Sequence, residues 1–265
     1  MKRFIPFIAK PPVVAVIRLQ GTIASGGRGS LNDAGLAGMI EKAFRRGKPA
    51  AVALSINSPG GSPVQSSLIA ARIRRLSDEK GVPVHGFVED VAASGGYWLA
   101  TAADRIWVDE TSIVGSIGVI SASFGLDQLI ERHGITRRVY TAGQSKSMLD
   151  PFQPEKAEDV ARLRTLQDRI HARFIEQVRS RRGSRLPEGR DLFTGDIWVG
   201  RDAIDVGLVD GIGHLVPKMK ELFGDKVRFV GYSQRRPFLS RFGLSLGEAA
   251  IGALEDRAAY ARFGL

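Results

Sequence analysis

Two rhythms of apolar and polar residues alternate along this chain: short continuous apolar runs, and longer stretches in which apolar residues return every three to four positions. Residues 13–23, "VVAVIRLQGTI", are nearly unbroken in their apolarity, which predicts a buried strand running into a glycine turn. "LNDAGLAGMIEKAFRRGK" has the helical repeat and a cationic end that suits the helix dipole. Residues 50–56, "AAVALSI", predict a second strand that stops at "NSPGGSP", and a helix comes next over about 64–80. "VPVHGFV", "DRIWVDE" and the glycine-marked "GSIGVISAS" predict three further strands. Residues 154–182 form the longest periodic segment and predict the longest helix. "DLFTGDIWVGRDAIDVGLVDGIG" then reads as loop, short helix and turn, and "KVRFVGY" as a short strand. A basic loop, "SQRRPFLSRFG", leads to an amphipathic helix over about 246–262.

Strands alternating with helices in this order predict an α/β fold with parallel layering. No low-complexity linker divides the chain. The expected organisation is an N-terminal extension over 1–12, a single domain over 13–232, and the basic loop with its C-terminal helix over 233–265.

Composition changes this picture in three places. A chain of 265 residues can bury one sizeable α/β core, and its 31 glycines suit a fold with many tight turns. It has no cysteine, which removes disulfides, thiolate nucleophiles and Cys-ligated zinc. The net charge of +10 comes largely from arginines spread along helices, as in "ARIRRL" and "RLRTLQDRIHARF", without an aromatic-interleaved basic ribbon. No nucleic-acid partner is therefore expected, and anionic lipid is the better functional competitor to a plain solvated surface. The apolar run within "MKRFIPFIAKPP" is too short for a signal segment or for a bilayer span, which takes about 20 residues. The expected location is cytoplasmic or peripheral to a membrane.

Candidate chemistry gathers at two glycine loops. "GGRG" lacks the third glycine of a dinucleotide fingerprint, and the four histidines are too dispersed to share a metal with the turn aspartates. "NSPGGSP" and "AASGG", in contrast, each come after a strand and open a helix. Loops of this kind, set side by side, offer convergent backbone N–H groups to an oxyanion. Ser94 stands at the helix start in the second loop. A serine hydroxyl needs a base; a histidine of a Ser-His-Asp triad stays open, since triads are spatial, although no serine sits in a G-x-S-x-G elbow. The other option is a lysine held neutral by desolvation and neutral hydrogen bonds. Lys146, flanked by serines and followed by Met148 and Leu149, has a small and partly apolar setting of this sort.

Taken together, "INSPGG", "VAASGGYW" with "ATAADRI", "GSIGVI", "GQSKSMLDPF" and "DVGLVDGIG" resemble the signal peptide peptidase A family of serine proteases, in the family's order and spacing. The likeness runs from about Val13 to His214. It implies a ClpP/crotonase-like fold of layered parallel sheets with flanking helices, and a Ser-Lys dyad. Ser94 matches the nucleophile and Lys146, 52 residues later, the general base. Ser116 matches the serine that orients the base, and Gly61 and Gly95 match backbone donors of the oxyanion hole. Tyr97 and Trp98 are expected to anchor the helix behind Ser94 in the core. The resemblance also implies a homo-oligomeric ring with active sites shared between subunits, and no metal, nucleotide or other cofactor. Two departures stand out: family members usually carry an N-terminal membrane anchor, and the common "TGR" is here "TGD", with Asp196 in the third place.

The function expected is hydrolysis of apolar peptides, such as signal-peptide remnants, by a serine endopeptidase. Two other readings stay open. Acyl-CoA chemistry on a crotonase-like fold would want a carboxylate base facing the glycine loops. A non-catalytic, membrane-associated scaffold would have no use for Ser94, Ser116 and Lys146 together.

Overall fold

The first strand, β1 (Val13–Gln20), is apolar from Val13 to Ile17 because both of its faces are covered there, while Arg18 and Gln20 near its end are exposed. Val14 and Val16 join one buried cluster, while Ala15, Ile17 and Leu19 join a larger one on the opposite side. The structure, a computed structural model, describes residues 11–26, 30–143, 145–234, 254 and 256–265. After β1 come α1 (Asp33–Arg45), β2 (Ala51–Ser58), α2 (Pro63–Lys80), β3 (Val84–Ala93), α3 (Gly95–Ala100), β4 (Arg105–Val108) and β5 (Ile113–Gly115). The second half contains α4 (Asp127–Arg132), α5 (Ala157–Arg182), β6 (Ile197–Val199), α6 (Gly200–Asp205), β7 (Gly211–Ile212), α7 (Leu215–Phe223) and β8 (Arg228–Tyr232).

The fold is α/β, a mostly parallel sheet with flanking helices. Its strand path is β6-β5-β3-β2-β1-β8, parallel except for the β5–β6 pair. Strand β3 forks. His85, Gly86 and Phe87 pair with β4, which continues to β7, whereas Val91, Ala92 and Ala93 pair with β5. Between these halves the β2–β3 register shifts, between Ile56 and Ser58. A bulge of this kind bends a strand and re-aims the residues beyond it. The residue just beyond β3 is Ser94.

The larger cluster packs α1, α2, α3 and the C-terminal part of α5 on one face, through Leu36, Ile40, Ile69, Ile73, Tyr97 and Phe174. Met219 of α7 covers the other face. Helix starts are fixed locally. The Asn32 side chain accepts from Gly35 N, and Ser62 caps α2 just before Pro63 at its first position.

The structure departs from the sequence reading in several segments. "GSIGVISAS" is a strand only at its first residue, because β5 ends at Gly115. Gly115 and Ser116 have φ of +100° and +50°, which breaks the extended run, and Ile120 and Phe124 further on are exposed. Strand β3 continues past Val88, where the apolar run "VPVHGFV" ends, through Glu89 and Asp90 to Ala93. Helix α4, with no buried residue, and the short helix α7 and strand β6 were not expected. Residues 1–10 of the N-terminal extension, the basic loop beyond Gln234, and most of the expected C-terminal helix lie outside the described residues. Residues 256–261 are helical. Among the described residues no helix is long and apolar enough to cross a membrane.

"DVGLVDGIG" has a structural task. Arg182, at the end of α5, is 2 % exposed, and it donates to Gly207 O (2.8 Å) and to Asp210 (2.8 Å). The Tyr97 hydroxyl donates to Leu208 O at 2.7 Å, so the same turn also anchors α3. Burial pushes the Asp210 carboxyl up. The Arg182 hydrogen bond, the Ile106 amide and the charges of Arg182 and Arg185 outweigh that and hold it below the usual value. Arg182→Ala removes the one buried arginine of the three that pair with Asp210, leaving Arg185 and Arg105 at 3.2 and 3.3 Å, and is expected to cost about 1.5–3 kcal/mol, read as a shift of the urea unfolding midpoint. Because the native pKa of Asp210 is depressed, its contribution is complete above the unfolded value of about 3.9. It is lost as pH falls through the native pKa, so the gap between wild type and variant should close in acid.

Candidate active site

The fork in β3 sets its last residue, Ala93, opposite Gly115 of β5. The next residue, Ser94, therefore leaves the sheet beside Ser116, and its amide donates to Gly115 O at 2.8 Å. Ser94 has φ +52° and ψ −122°, a sparsely populated conformation for a residue with a side chain. Such backbone strain costs about 1–3 kcal/mol and persists only when the surroundings over-determine it. Here Gly115 O holds its amide, and Trp98 N donates to its carbonyl at 3.0 Å. Its side chain sits at the start of α3 but makes no capping hydrogen bond. The hydroxyl is left for other use.

The "SPGG" loop closes over the same point. Gly60 and Gly61 have φ of +103° and +137°. A Cβ on Gly60 would lie 2.8 Å from Gly95 N and 2.9 Å from the Ser94 Cβ, and one on Gly61 would fall on the Ile23 carbonyl oxygen. A Cβ on Gly95 would meet Ser66 Oγ and lie 3.3 Å from Gly61 N. Only glycine permits two loops to approach this closely. Gly95 is the first residue of α3, where an N–H has no intrahelical acceptor, and among the described residues neither its amide nor that of Gly61 donates to another group. Two unspent amides thus lie close together beside Ser94.

A small pocket, with room for about one water molecule, lies between these groups and α5. Pro63, Trp98, Val119, Ile170 and Phe174 line it with Gly61, Ser94 and Gly95. Trp98 and Phe174 stack with ring centroids 4.9 Å apart, which fixes α5 against α3. The expectation that Tyr97 and Trp98 anchor the helix behind Ser94 agrees with their burial.

Ser116 lies next to this point but is held through its backbone. Its amide donates to Asp196 O (2.7 Å), its carbonyl accepts from Gly118 N (2.9 Å), and His171 Nε2 lies 3.0 Å from Ile117 O. Asp196 thus serves Ser116 through its main chain, which any side chain supplies. The "TGD" variation leaves this contact intact.

Lys146 is not brought to Ser94. It is exposed in a turn, its amide donates to Gly143 O at 3.2 Å, and among the described residues its ammonium makes no hydrogen bond or ion pair. It does not line the pocket. The structure therefore assembles Ser94, Gly61, Gly95 and Ser116 at one place and leaves Lys146 outside it. The pocket wall from α5 was missed in the sequence. Its signal was there, since Ile170 and Phe174 recur at helical spacing inside an arginine-rich segment.

The sequence model of peptidase family S49 matches residues 77–223, a range that includes Ser94, Ser116 and Lys146. The chain is 47% identical over 286 aligned residues to the Na(+)/H(+) antiporter NhaA of Brucella melitensis biotype 1, covering all of this chain and 39% of that protein. It is 32% identical to the chloroplastic serine protease SPPA of Arabidopsis thaliana, over 90% of this chain and 37% of the relative. It is 33% identical to protease 4 of Haemophilus influenzae, over 77% of this chain and 33% of the relative. The chain spans less than two fifths of the length of each of these relatives. Among solved structures, a mutant of the 1510-N membrane-bound stomatin-specific protease aligns over 83% of this chain and 98% of its own, with TM-score 0.47 and 14% identity.

Proposed function

Because this chain belongs to peptidase family S49, we propose that it is a serine endopeptidase that cuts apolar peptides with Ser94 as nucleophile and Lys146 as general base. The observation that carries this reading is the strained Ser94 beside two unspent glycine amides at a small, largely apolar pocket. Ser94 Oγ attacks the scissile carbonyl while the neutral Lys146 amine takes its proton. The carbonyl oxygen becomes the oxyanion, held by Gly61 N–H and Gly95 N–H, where each donor is worth about 2.7–4 kcal/mol. The C–N bond then breaks, the lysine ammonium returns the proton to the leaving amine, and water hydrolyses the Ser94 ester by the same route. Ser116 orients the amine through its hydroxyl. Peptide residues before the scissile bond lie against the exposed Ile170 at this pocket, which supports a preference for apolar side chains.

The base is supplied by a neighbouring copy in this reading. Residues around Lys146 are poorly covered by their own chain: Phe124 and Tyr140 are 84% and 90% exposed, with Ile120, Leu129 and Ile135 also exposed. An apolar excursion of that size finds cover most simply in an oligomer whose subunits exchange it. Acyl-CoA chemistry is disfavoured because none of the residues lining the pocket is a carboxylate.

A fluorophosphonate probe tests the nucleophile directly. Mass spectrometry of the labelled chain is expected to place the phosphonyl adduct on the peptide containing Ser94, with no adduct in Ser94→Ala. Labelling that survives in that variant would falsify the assignment.

A further inference from the structure

We infer that Asp256 and Tyr260, near the C-terminus, are positioning residues that staple the Gly61 loop in place. The inference rests on the reading of Gly61 N–H as an oxyanion donor. Beyond the regular strands, residues 21–23 leave β1 and run beside residues 57–62, which leave β2. Gly21 N donates to Asn57 O (3.0 Å), Ile23 N to Gly60 O (2.8 Å), and Ser62 N to Ile23 O (2.7 Å). Gly61 lies between the last two of these bonds, so this narrow ribbon sets where its N–H points. Thr22 and Ala24 also bond to Leu31 on the far side (Leu31 N to Thr22 O, 2.8 Å; Ala24 N to Leu31 O, 3.1 Å), and pairings of single bridges this short are marginal without further support.

The C-terminal segment grips both sides of that ribbon. Asp256 Oδ1 accepts from the Thr22 hydroxyl (2.6 Å) and from Thr22 N (3.3 Å), one residue before Ile23. The Tyr260 hydroxyl donates to Asn57 O at 2.6 Å, the same oxygen that accepts from Gly21 N. The two side chains stand four residues apart in a helical stretch, which puts them on one face, and each holds a different strand of the ribbon. Burial pushes the Tyr260 hydroxyl up to about 12; the Gly21 amide opposes this, and the charges of Asp256, Asp90 and Glu89 add to it. Tyr260 therefore remains a protonated donor at any neutral or mildly basic pH.

Two measurements on the full chain test the staple. Tyr260→Phe removes only a hydroxyl, and Asp256→Ala removes an acceptor that Asp256→Asn retains. For Tyr260→Phe and Asp256→Ala, kcat on an apolar peptide ester is expected to fall about fivefold, the worth of one hydrogen bond, with KM within about twofold. Asp256→Asn is expected to restore most of kcat. Amide hydrogen exchange at Ile23 and Ser62 should quicken in the two defective variants, while Val52 and Leu54 in β2 stay protected. Unchanged exchange at Ile23 and Ser62 overturns the inference. So does faster exchange throughout β2, or a faster ribbon with unchanged kcat. A wild-type chain that hydrolyses nothing would instead sink the peptidase reading, and the exchange data would still decide whether the staple exists.

Discussion

Ser94→Ala is expected to lower peptide hydrolysis by at least about a thousandfold while leaving the thermal midpoint within a few degrees of wild type. The argument has two parts. In the proposed reaction Ser94 Oγ forms the new bond to the scissile carbon, so nothing else in the pocket can replace it. Structurally the hydroxyl is idle, since it makes no capping hydrogen bond to α3. The backbone bonds to Gly115 O and from Trp98 N persist with alanine. Alanine bears the same +52° φ penalty as serine, so the strain is unchanged. Hydrolysis of casein or an apolar peptide, measured beside a thermal melt, separates the two effects. Turnover near wild type in Ser94→Ala would remove Ser94 from the chemistry.

The second large effect is a recovery. Ser94→Ala and Lys146→Ala proteins should each be inactive alone and should regain activity when mixed under conditions of subunit exchange. If the base comes from a neighbour, some interfaces in a mixed assembly pair an intact Ser94 with an intact Lys146. For random mixing of equal amounts that fraction is about one quarter, which sets the expected ceiling on recovery. The exposed turn of Lys146, and the uncovered Phe124 and Tyr140 in the same excursion, motivate the expectation. Exchange is verified independently by mass labels on the two variants. Proven exchange without recovered activity would mean that both groups act within one chain, through a rearrangement of the excursion.

Periodicity predicted the first five elements in order, from β1 to β3, and the "AASGG" loop the sixth, α3, because each has a local cause. Continuous apolar runs mark strands covered on both faces, and Asn32 and Ser62 mark helix starts through their own side chains. The segment after Gly115 was misread for an equally physical reason. "GSIGVISAS" is apolar enough for a strand, yet Gly115 and Ser116 turn left-handed, and among the described residues no strand pairs with it beyond Gly115. Helix α4 was unreadable by the same logic, since it buries nothing and so has no face for a pattern to record.

For the site, the residue types and loops were visible in the chain, and their arrangement was not. The sequence by itself determined the strand-loop-helix units, the glycines that tolerate left-handed backbone, and the serine and lysine that a resemblance to known proteases singled out. Only the tertiary structure decided that Gly60 and Gly61 meet Ser94 and Gly95 at van der Waals range, because that contact depends on the β2–β3 register and its bulge. It alone decided that α5 walls the pocket through Phe174 and that Lys146 stays outside. It also brought Asp256 and Tyr260 onto Thr22 and Asn57, more than two hundred residues away in sequence. Local pattern encodes local conformation, whereas contacts across the sheet arise from how the elements share one core, and no single stretch of sequence carries that information.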